Sequence, residues 1–442
     1  MNDSMKTKLT SPKMPEISCP VCLNKKILPK YNKKTPIDYG CKNLEKYSMF
    51  SCPNCQCEFC YPREPLNYEN IDAGGYDVYR SFVSKEEFEG RLYHTLNCTA
   101  HFKDSPHVYN ILSLLNFRGA FLDFGAGSGY ITELARRLGY KVSAVEESRE
   151  FREFIKEMIP GVKVYSTIQE LEIENRKFDV VSTMHVIEHV PYPMEVLKNI
   201  HSILSPQGIL IAVVPNLDRA YYRFGEVGKE IDDLIDWNGI SNGYCASDFP
   251  PHHLTRFKGE TIKKALMLGG FRNVAVGYPP VNAWDLFYTG LGEDSFRFKD
   301  YFNDIARMQT IALFEKRLNE VLSNVNAENL AFSLIALASD KIEKSYLENL
   351  ISQSRQQVMD TYVTTILQQY DELKQGTIKT NAIDISTDKK DMLILNLEHE
   401  LKQIYHSHGW KALKFYYQVR NRIFPSRSKR SKFIKRILKI FF

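Results

Sequence analysis

Short apolar runs alternate with amphipathic segments through the middle of the chain. The runs predict strands, and the segments, in which apolar residues recur every three or four positions, predict helices. The predicted strands begin at residues 121, 141, 162, 178, 209 and 271. The predicted helices cover residues 108–116, 131–138, 149–158, 194–204 and 259–268. This alternation is typical of an α/β domain with a mostly parallel sheet.

A different pattern fills the C-terminal third. Residues 293–375 contain no Gly or Pro and carry apolar residues at helical spacing, so residues 281–375 are predicted to be a helical region with two or three long helices. A polar linker is predicted at 376–389. Residues 390–442 are predicted to form a short coiled-coil-like helix, which could join two copies of the chain, and a basic amphipathic tail.

The candidate chemistry begins where the first strand of the α/β pattern reaches Asp123 and a glycine-rich turn. Gly125, Gly127 and Gly129 allow backbone angles that other residues avoid, and they let main-chain N–H groups approach a ligand where the next helix starts. The second strand ends at Glu146, where a carboxylate can accept both hydroxyls of a ribose. The pattern therefore predicts a site for a nucleotide-like ligand.

The order of these residues resembles the class I S-adenosylmethionine (SAM) methyltransferases. The acid Asp123 precedes the first glycine, whereas in dinucleotide-binding folds that glycine follows the strand directly. The resemblance covers residues 108–280 and includes the signature Glu188-His189-Val190 after the fourth strand. It implies an α/β, Rossmann-like class I methyltransferase fold with a seven-stranded sheet and SAM as the cofactor. The residues that it implies for cofactor binding are Asp123, Gly125, Ala126, Gly127, Gly129, Glu146, Ile168, Gln169 and Met184.

Histidines are the candidate catalytic groups, because an imidazole can take a proton from an acceptor near neutral pH. The candidates are His185, His189, His252 and His253. Residues 184–191 are also similar to the ubiquinone-biosynthesis O-methyltransferases, whose Glu-x-x-Glu-His motif implies metal ligands. Residue 185 is His here rather than Glu. A set of His185, Glu188 and His189 around a divalent cation therefore stays open, beside an arrangement in which His189 only packs and His185 faces the pocket.

Residues 217–258 are predicted to be an insertion that forms a lid or acceptor pocket. Its aromatic residues and interleaved charges suit sugar rings and phosphates. The insertion closes at residues 250–257, which resemble the Pro-x-His-x-x-x-Phe junction of polysaccharide-associated methyltransferases. That resemblance implies that His252 or His253 faces the acceptor, with a structural role at the junction as the alternative.

The N-terminal segment carries two Cys-x-x-Cys pairs, which are Cys19 with Cys22 and Cys52 with Cys55. Four thiolates in this arrangement predict a structural Zn²⁺ in a small ribbon at residues 17–62. The ribbon follows a loose leader at 1–16 and precedes a helical connector at 63–107. Each Cys-x-x-Cys pair forms a turn called a knuckle. Because Cys41, Cys57 and Cys60 are also present, the sequence leaves open which knuckle binds the metal together with Cys19 and Cys22. The module resembles the zinc modules that precede methyltransferases of bacterial sugar and polysaccharide pathways.

Composition and charge narrow the class of protein. The chain has 442 residues, 43% of them hydrophobic and 25% charged, which is ordinary for a globular protein. Residues 411–442 contain eleven Lys or Arg and no acid, although the net charge of the whole chain is only +5. The tail is therefore expected to meet an anionic membrane surface, and the body to be a poor partner for nucleic acid. No export signal or membrane-spanning run is present, which predicts a cytoplasmic protein, peripheral at the inner face of the cell membrane.

Together these features predict a SAM-dependent methyltransferase in bacterial surface-polysaccharide synthesis. The expected substrate is a sugar nucleotide or lipid-linked glycan, methylated at a hydroxyl. Two alternatives stay open. One is an RNA methyltransferase with a zinc recognition module, and the other is a scaffold that binds SAM without turnover.

Overall fold

The structure is a computed structural model. It describes residues 17–31, 47–64, 84–99, 103–218, 253–281 and 331–374, together with Ala312, Lys316 and Asn319. The predictions for the leader at 1–16, for most of the lid, for His252, for the linker at 376–389 and for the tail at 390–442 lie outside the described residues. Among the described helices, none is both long and apolar enough to cross a bilayer.

A seven-stranded sheet forms the centre of the molecule. Its strands are β4 (Ala120–Phe124), β5 (Lys141–Val145), β6 (Lys163–Tyr165), β7 (Phe178–Met184), β8 (Leu204–Pro215), β10 (Asn273–Gly277) and β11 (Ser333–Ser339). The strand order is β10-β11-β8-β7-β4-β5-β6. The strands from β8 to β6 pair in parallel, whereas β11 pairs antiparallel with both β8 and β10. The carboxyl ends of β4, β5 and β7 therefore meet at one edge of the sheet.

Helices cover the sheet on both faces. They are α1 (Lys85–Leu96), α2 (Asp104–Leu114), α3 (Tyr130–Arg137), α4 (Arg149–Met158), α5 (Ile168–Ile173), α6 (Pro193–Ile203), α7 (Gly259–Leu268) and α8 (Lys344–Lys374). Successive side chains of β4 enter opposite layers of the core, because side chains alternate along a strand. Phe121 packs with Ile111 and Ile155 in one layer, and Leu122 packs in the other layer with residues of α6 and α7. The Rossmann-like fold predicted from the sequence is confirmed.

The last strand of the sheet corrects one prediction. Residues 281–375 were expected to be helical, but β11 lies at Ser333–Ser339. Of the residues described in this range, those of α8 and the helical positions Ala312, Lys316 and Asn319 match the expectation. All seven residues of β11 are buried. Because a strand covered on both faces is a continuous apolar run, its pattern cannot be distinguished from a buried helical segment. The methyltransferase sheet thus extends well beyond residue 280.

The N-terminal cysteines lie in a second, smaller sheet. It contains β1 (Leu28–Tyr31), β2 (Ser48–Ser51) and β3 (Glu58–Tyr61), all antiparallel, and we call residues 17–62 the cysteine module. Its fourth strand, β9 (Thr255–Arg256), comes from the chain just before α7. A piece of the predicted lid region therefore completes the sheet of the cysteine module.

Candidate active site

The glycine-rich turn connects β4 to α3 at the carboxyl edge of the sheet. Gly125, Gly127 and Gly129 all have positive φ angles, of 74°, 53° and 79°. A β-carbon at Gly125 would lie 2.4 Å from Val186 Cγ2, and one at Gly129 would lie 2.8 Å from Ile155 Cγ1. A β-carbon at Gly127 would instead meet nothing within 4 Å. The turn is thus packed at its ends, and its middle glycine faces open space where a ligand can approach the main chain.

Glu146 lies beside this turn, directly after β5. Its Oε2 accepts a hydrogen bond from the Gly127 N–H at 2.7 Å, and its Oε1 accepts one from the Ser148 N–H at 2.8 Å. Burial raises the pKa of Glu146, although these two hydrogen bonds oppose the shift. The carboxylate is therefore held in a fixed orientation at the position expected for a group that binds a ribose.

Asp123 is the second acid of the cofactor half and lies within β4. It is 3% exposed, and its Oδ2 accepts a hydrogen bond from the Thr132 hydroxyl at 2.8 Å. The pKa of Asp123 is raised to about 7, because burial and the nearby charge of Glu146 outweigh the hydrogen bond from Thr132, which lowers it. A buried acid beside the half-buried carboxylate of Glu146 favours a cationic ligand. SAM carries a sulfonium cation, so these residues fit it.

The other predicted cofactor residues have different environments. Ala126 is 7% exposed, within the glycine-rich turn, and Ile168 is buried at the start of α5. Gln169 follows Ile168 and is exposed, and Met184 is half-buried at the end of β7. All four follow or end strands at the carboxyl edge of the sheet.

His185 belongs to an ion-pair network. Its Nε2 lies 3.0 Å from Asp104 Oδ2, and its Nδ1 lies 3.3 Å from Glu188 Oε1. Burial disfavours the imidazolium, but the hydrogen bonds to Asp104 and then Glu188 raise the pKa of His185 to about 10. Its φ of 54° adds a constraint that few non-glycine residues adopt. A histidine that is already protonated cannot take a proton, so this geometry argues against His185 as the catalytic base.

A cluster formed by Glu188, His189 and His253 lies beside that network. The three side chains offer ligand atoms that all lie within 4.8 Å of one another. The rings of His189 and His253 have centroids 4.8 Å apart and meet edge to face. The segment after β7 therefore brings His189, rather than His185, into contact with His253 near the end of the predicted lid.

Glu188 supplies the negative charge of this cluster. It is 1% exposed, and its nearest cationic groups are His185 Nδ1 at 3.3 Å and His189 Nε2 at 3.9 Å. Burial would raise the pKa of Glu188, but the hydrogen bond from His185 and the electrostatic attraction of the neighbouring His189, His185 and His253 rings lower it overall. A buried carboxylate is thus kept ionised between three imidazoles, where it can orient them or hold a cation.

Two residues of the network, Asp104 and Ser333, were not predicted from the sequence. Asp104 begins α2, and its Oδ2 accepts hydrogen bonds from His185 and also, at 2.9 Å, from the Ser333 hydroxyl. These partners lie 81 and 229 residues away along the chain. No local pattern connects Asp104 with either of them, since the contact depends on how α2 packs against the sheet at β7 and β11.

The four predicted metal ligands of the cysteine module are brought together. Their sulfur atoms all lie within 4.8 Å of one another, with Cys19 Sγ to Cys55 Sγ and Cys22 Sγ to Cys52 Sγ both at 3.5 Å. Sulfur atoms around a tetrahedral zinc, with Zn–S of about 2.3 Å, are roughly 3.8 Å apart. The donor set therefore fits Zn²⁺, which would hold the two knuckles together.

The knuckles also share one backbone conformation. Leu23 and Gln56, each four residues after the first cysteine of its pair, have a φ of 58°. Cys57 and Cys60 lie outside the group of four, and their thiols donate to the carbonyl oxygens of Glu58 and Pro62. Among the described cysteines, the two predicted pairs lie together, whereas Cys41 lies outside the described residues.

The sheet order and the site together define a class of protein. One antiparallel strand is inserted next to the parallel strands, a glycine-rich turn follows the first of them, and an acid ends the second. This is the arrangement of a class I SAM-dependent methyltransferase domain.

Comparison with known proteins gives the same class. The profile of a family described as "Methyltransferase domain" matches residues 100–276. Ubiquinone biosynthesis O-methyltransferases of Haemophilus ducreyi and Caulobacter sp. are 29% and 32% identical to this chain over 119 and 122 residues. These matches cover 25% of this chain in both cases and 50% and 46% of the relatives. The mitochondrial protein of that name from Arabidopsis thaliana is 30% identical over 145 residues, which is 31% of this chain and 43% of the relative.

A solved SAM-dependent methyltransferase from Archaeoglobus fulgidus is also similar, with 19% identity and a TM-score of 0.35, over 60% of this chain and 98% of that one. The chain spans about half the length of the curated relatives it matches. The family profile and the sheet order together show that it carries a class I SAM-dependent methyltransferase domain.

Proposed function

We propose that the protein transfers a methyl group from SAM to a hydroxyl of a sugar or glycan intermediate held against Glu188, His189 and His253. One observation carries this proposal. A β-carbon at Gly125 would lie 2.4 Å from Val186, so the cofactor turn abuts the segment that carries Glu188 and His189. The cofactor half and the acceptor half are therefore neighbours, as transfer between two bound molecules requires.

SAM supplies the electrophilic methyl group when it is bound, so the protein has to position the acceptor and remove its proton. His189 and His253 are the side chains suited to accept that proton. Glu188 stabilises the imidazolium that results, since its carboxylate is buried and stays ionised beside both rings. His185 keeps Glu188 in place and remains protonated throughout.

The same three residues also fit a divalent cation. Two imidazoles and one buried carboxylate within 4.8 Å of one another are a donor set for Zn²⁺, Mn²⁺ or Fe²⁺. This set differs from the predicted set of His185, Glu188 and His189, because His253 takes the place of His185. Transfer that is lost on dialysis against a chelator and restored by Mn²⁺ or Fe²⁺, while the zinc content of the cysteine module is unchanged, would support Glu188, His189 and His253 as ligands.

The acceptor class rests on two supports. The relatives are named as O-methyltransferases of ubiquinone biosynthesis, which favours oxygen as the methylated atom and makes a phenolic quinone precursor a second candidate acceptor. The cysteine module and the junction at residues 250–257 resemble those of sugar methyltransferases, which favours a glycan. The sequence of the predicted lid also contains aromatic residues, which would suit a sugar ring.

Methyl transfer from labelled SAM to separate acceptor pools tests this assignment. The pools are nucleotide sugars, lipid-linked glycans, phenolic quinone precursors and ribosomal RNA. We expect label in one of the two sugar pools. Label only in the phenolic pool would identify the second candidate, and label only in RNA would identify an RNA methyltransferase. SAM binding without transfer to any pool would favour the scaffold.

We also propose that the cysteine module holds one structural Zn²⁺ and that the basic tail brings the enzyme to an anionic membrane surface on the cytoplasmic side. Elemental analysis should find one zinc per chain, which Cys19→Ser should remove.

The tail lies outside the described residues, and the proposal that it binds a membrane is supported by the charge of residues 411–442. Flotation with vesicles that contain anionic lipid should fail once residues 426–442 are deleted. Any self-association through the C-terminal helices would appear in light scattering.

A further inference from the structure

The backbone on both sides of His253 is tied to two parts of the molecule. The Leu254 and Thr255 N–H groups donate to the carbonyl oxygen of Glu188, at 2.8 and 3.1 Å. On the other side, the Cys60 N–H donates to the Leu254 carbonyl at 3.1 Å. The short segment that follows His253 is thus clamped between the Glu188 turn and the cysteine module.

The antiparallel pairing of β3 with β9 continues this clamp. Glu58 lies opposite Arg256, and Phe59 lies opposite Thr255. Since β9 is only two residues long, its main-chain hydrogen bonds define the register weakly. A slip of one residue would turn its side chains to the opposite face and would move His253 with them.

A buried ion pair fixes this register. Arg256 Nη1 donates to Glu58 Oε2 at 2.9 Å, and the two side chains are only 5% and 4% exposed. Buried ion pairs contribute little net stability compared with apolar residues, and their best-attested use is to select one register. This pair forms only when Arg256 lies opposite Glu58.

The cysteine module has other contacts with the methyltransferase domain, so the ion pair is not needed to attach the module to it. The Thr261 hydroxyl donates to the Cys55 carbonyl at 2.7 Å, and the Lys264 ammonium contacts Asn54 at 3.2 Å. These bonds attach the module to α7. The ion pair is different, because the strand that it fixes begins two residues after His253.

We propose that the cysteine module positions His253 for methyl transfer and that Glu58 and Arg256 are the positioning residues through which it acts. This inference rests on the proposed function, because His253 is placed there at the acceptor. It gives the module a part in the reaction, since the clamp holds the His253 imidazole against His189 and Glu188.

Chemical labelling of histidines tests the proposal without an acceptor. Diethyl pyrocarbonate acylates accessible imidazoles, and peptide mass spectrometry reports each site separately. His253 is 9% exposed and should react slowly in the wild-type protein, whereas His201, with a side chain that is 32% exposed, provides an internal reference. The full-length protein loaded with zinc is used throughout.

The main variant is the double change Glu58→Leu with Arg256→Met. It replaces the ion pair with apolar side chains, a change that is often neutral for stability. The variant therefore lacks the interaction that fixes the register of β9, and no buried charge is left unpaired. We expect His253 labelling to rise at least threefold relative to His201, with SAM affinity and zinc content within twofold of the wild type. Once an acceptor is known, kcat should fall at least tenfold with little change in the KM for SAM.

A second variant guards against misfolding, and a third is a matched control. Glu58→Gln keeps the shape and one acceptor for Arg256, and it should raise His253 labelling at least twofold. Glu133→Gln changes another buried carboxylate that pairs with arginine, at 2.7 Å from Arg136, and should leave His253 labelling unchanged relative to His201.

Unchanged labelling of His253 in a double variant that still binds SAM would overturn the proposal. If the double variant does not bind SAM, unchanged labelling in Glu58→Gln would overturn it equally. A wild-type protein that methylates no acceptor pool would count against the proposed function instead, and the labelling result would stand apart from it.

Discussion

The cofactor half and the acceptor half of the site lie side by side, but different interactions hold them in place. The cofactor half is a turn between β4 and α3, and main-chain N–H groups fix its acid Glu146 over a short stretch of sequence. The acceptor half joins Glu188 and His189 to His253, and its support comes from Asp104, Ser333 and the cysteine module. Because the acceptor half depends on side chains from distant segments, one substitution there should disturb several groups together, whereas substitutions in the cofactor half should act locally.

The largest expected effect is that of Glu188→Gln. The change keeps the shape of the side chain and removes the charge that orients His189 and His253, so kcat should fall by about 10²–10⁴-fold, the range typical of general acid–base groups. SAM affinity should stay within twofold of the wild type, because the residues of the cofactor half lie on other segments of the chain. Labelled SAM with the acceptor pool that accepts methyl groups measures the rate.

Glu195→Gln is the matched control for this variant. Glu195 is an exposed acid in the first turn of α6, a few residues further along the chain, and its change should leave kcat unaltered. A Glu188→Gln enzyme with wild-type kcat would show that the charged cluster plays no part in transfer.

A smaller effect, confined to binding, is expected for Glu146→Ala. Each hydrogen bond from a ribose hydroxyl to a carboxylate contributes roughly 1.5–3 kcal/mol, so the affinity for SAM should fall tenfold or more. The loss also frees the Gly127 N–H, which donates to Glu146 at 2.7 Å. Isothermal titration calorimetry measures the affinity. Glu147→Ala, which changes the exposed neighbour, should bind SAM as the wild type does. Equal affinities in the two variants would reject Glu146 as a cofactor ligand.

This contrast also explains how much the sequence could predict. Asp123, the three glycines and Glu146 follow one another within a single strand–turn–helix–strand unit, so their spacing alone predicts where they meet. The fold was predictable for the same reason, apart from β11, whose apolar run lacks a strand signature. Glu188 and His189 were predicted together, but the replacement of His185 by His253 could not be predicted. That choice depends on β9 pairing with the cysteine module, a contact between residues almost 200 positions apart.

The smallest effect expected is on stability, and it concerns the network around His185. The pKa of His185 is raised from 6.5 to about 10, because its hydrogen bonds to Asp104 and Glu188 outweigh the burial that disfavours the imidazolium. Because the pKa of His185 is higher in the folded than in the unfolded protein, its protonation stabilises the fold. This contribution is fully present below pH 6.5 and is lost as the pH rises towards 10. A third of the His185 side chain is exposed, which weakens the effect, so we expect the free energy of unfolding to fall by about 2 kcal/mol across this range.

Asp104→Asn isolates this contribution from other groups that titrate in the same range. The amide removes one of the two carboxylates facing His185, so the free energy of unfolding should depend less steeply on pH between 7 and 10 than in the wild type. Urea unfolding at several pH values measures both slopes. Asp340→Asn, which breaks the His201 pair on another surface, should keep the wild-type slope. If Asp104→Asn and the wild type gave parallel curves, His185 would not be held protonated by Asp104, and its role as a base in the acceptor half would be open again.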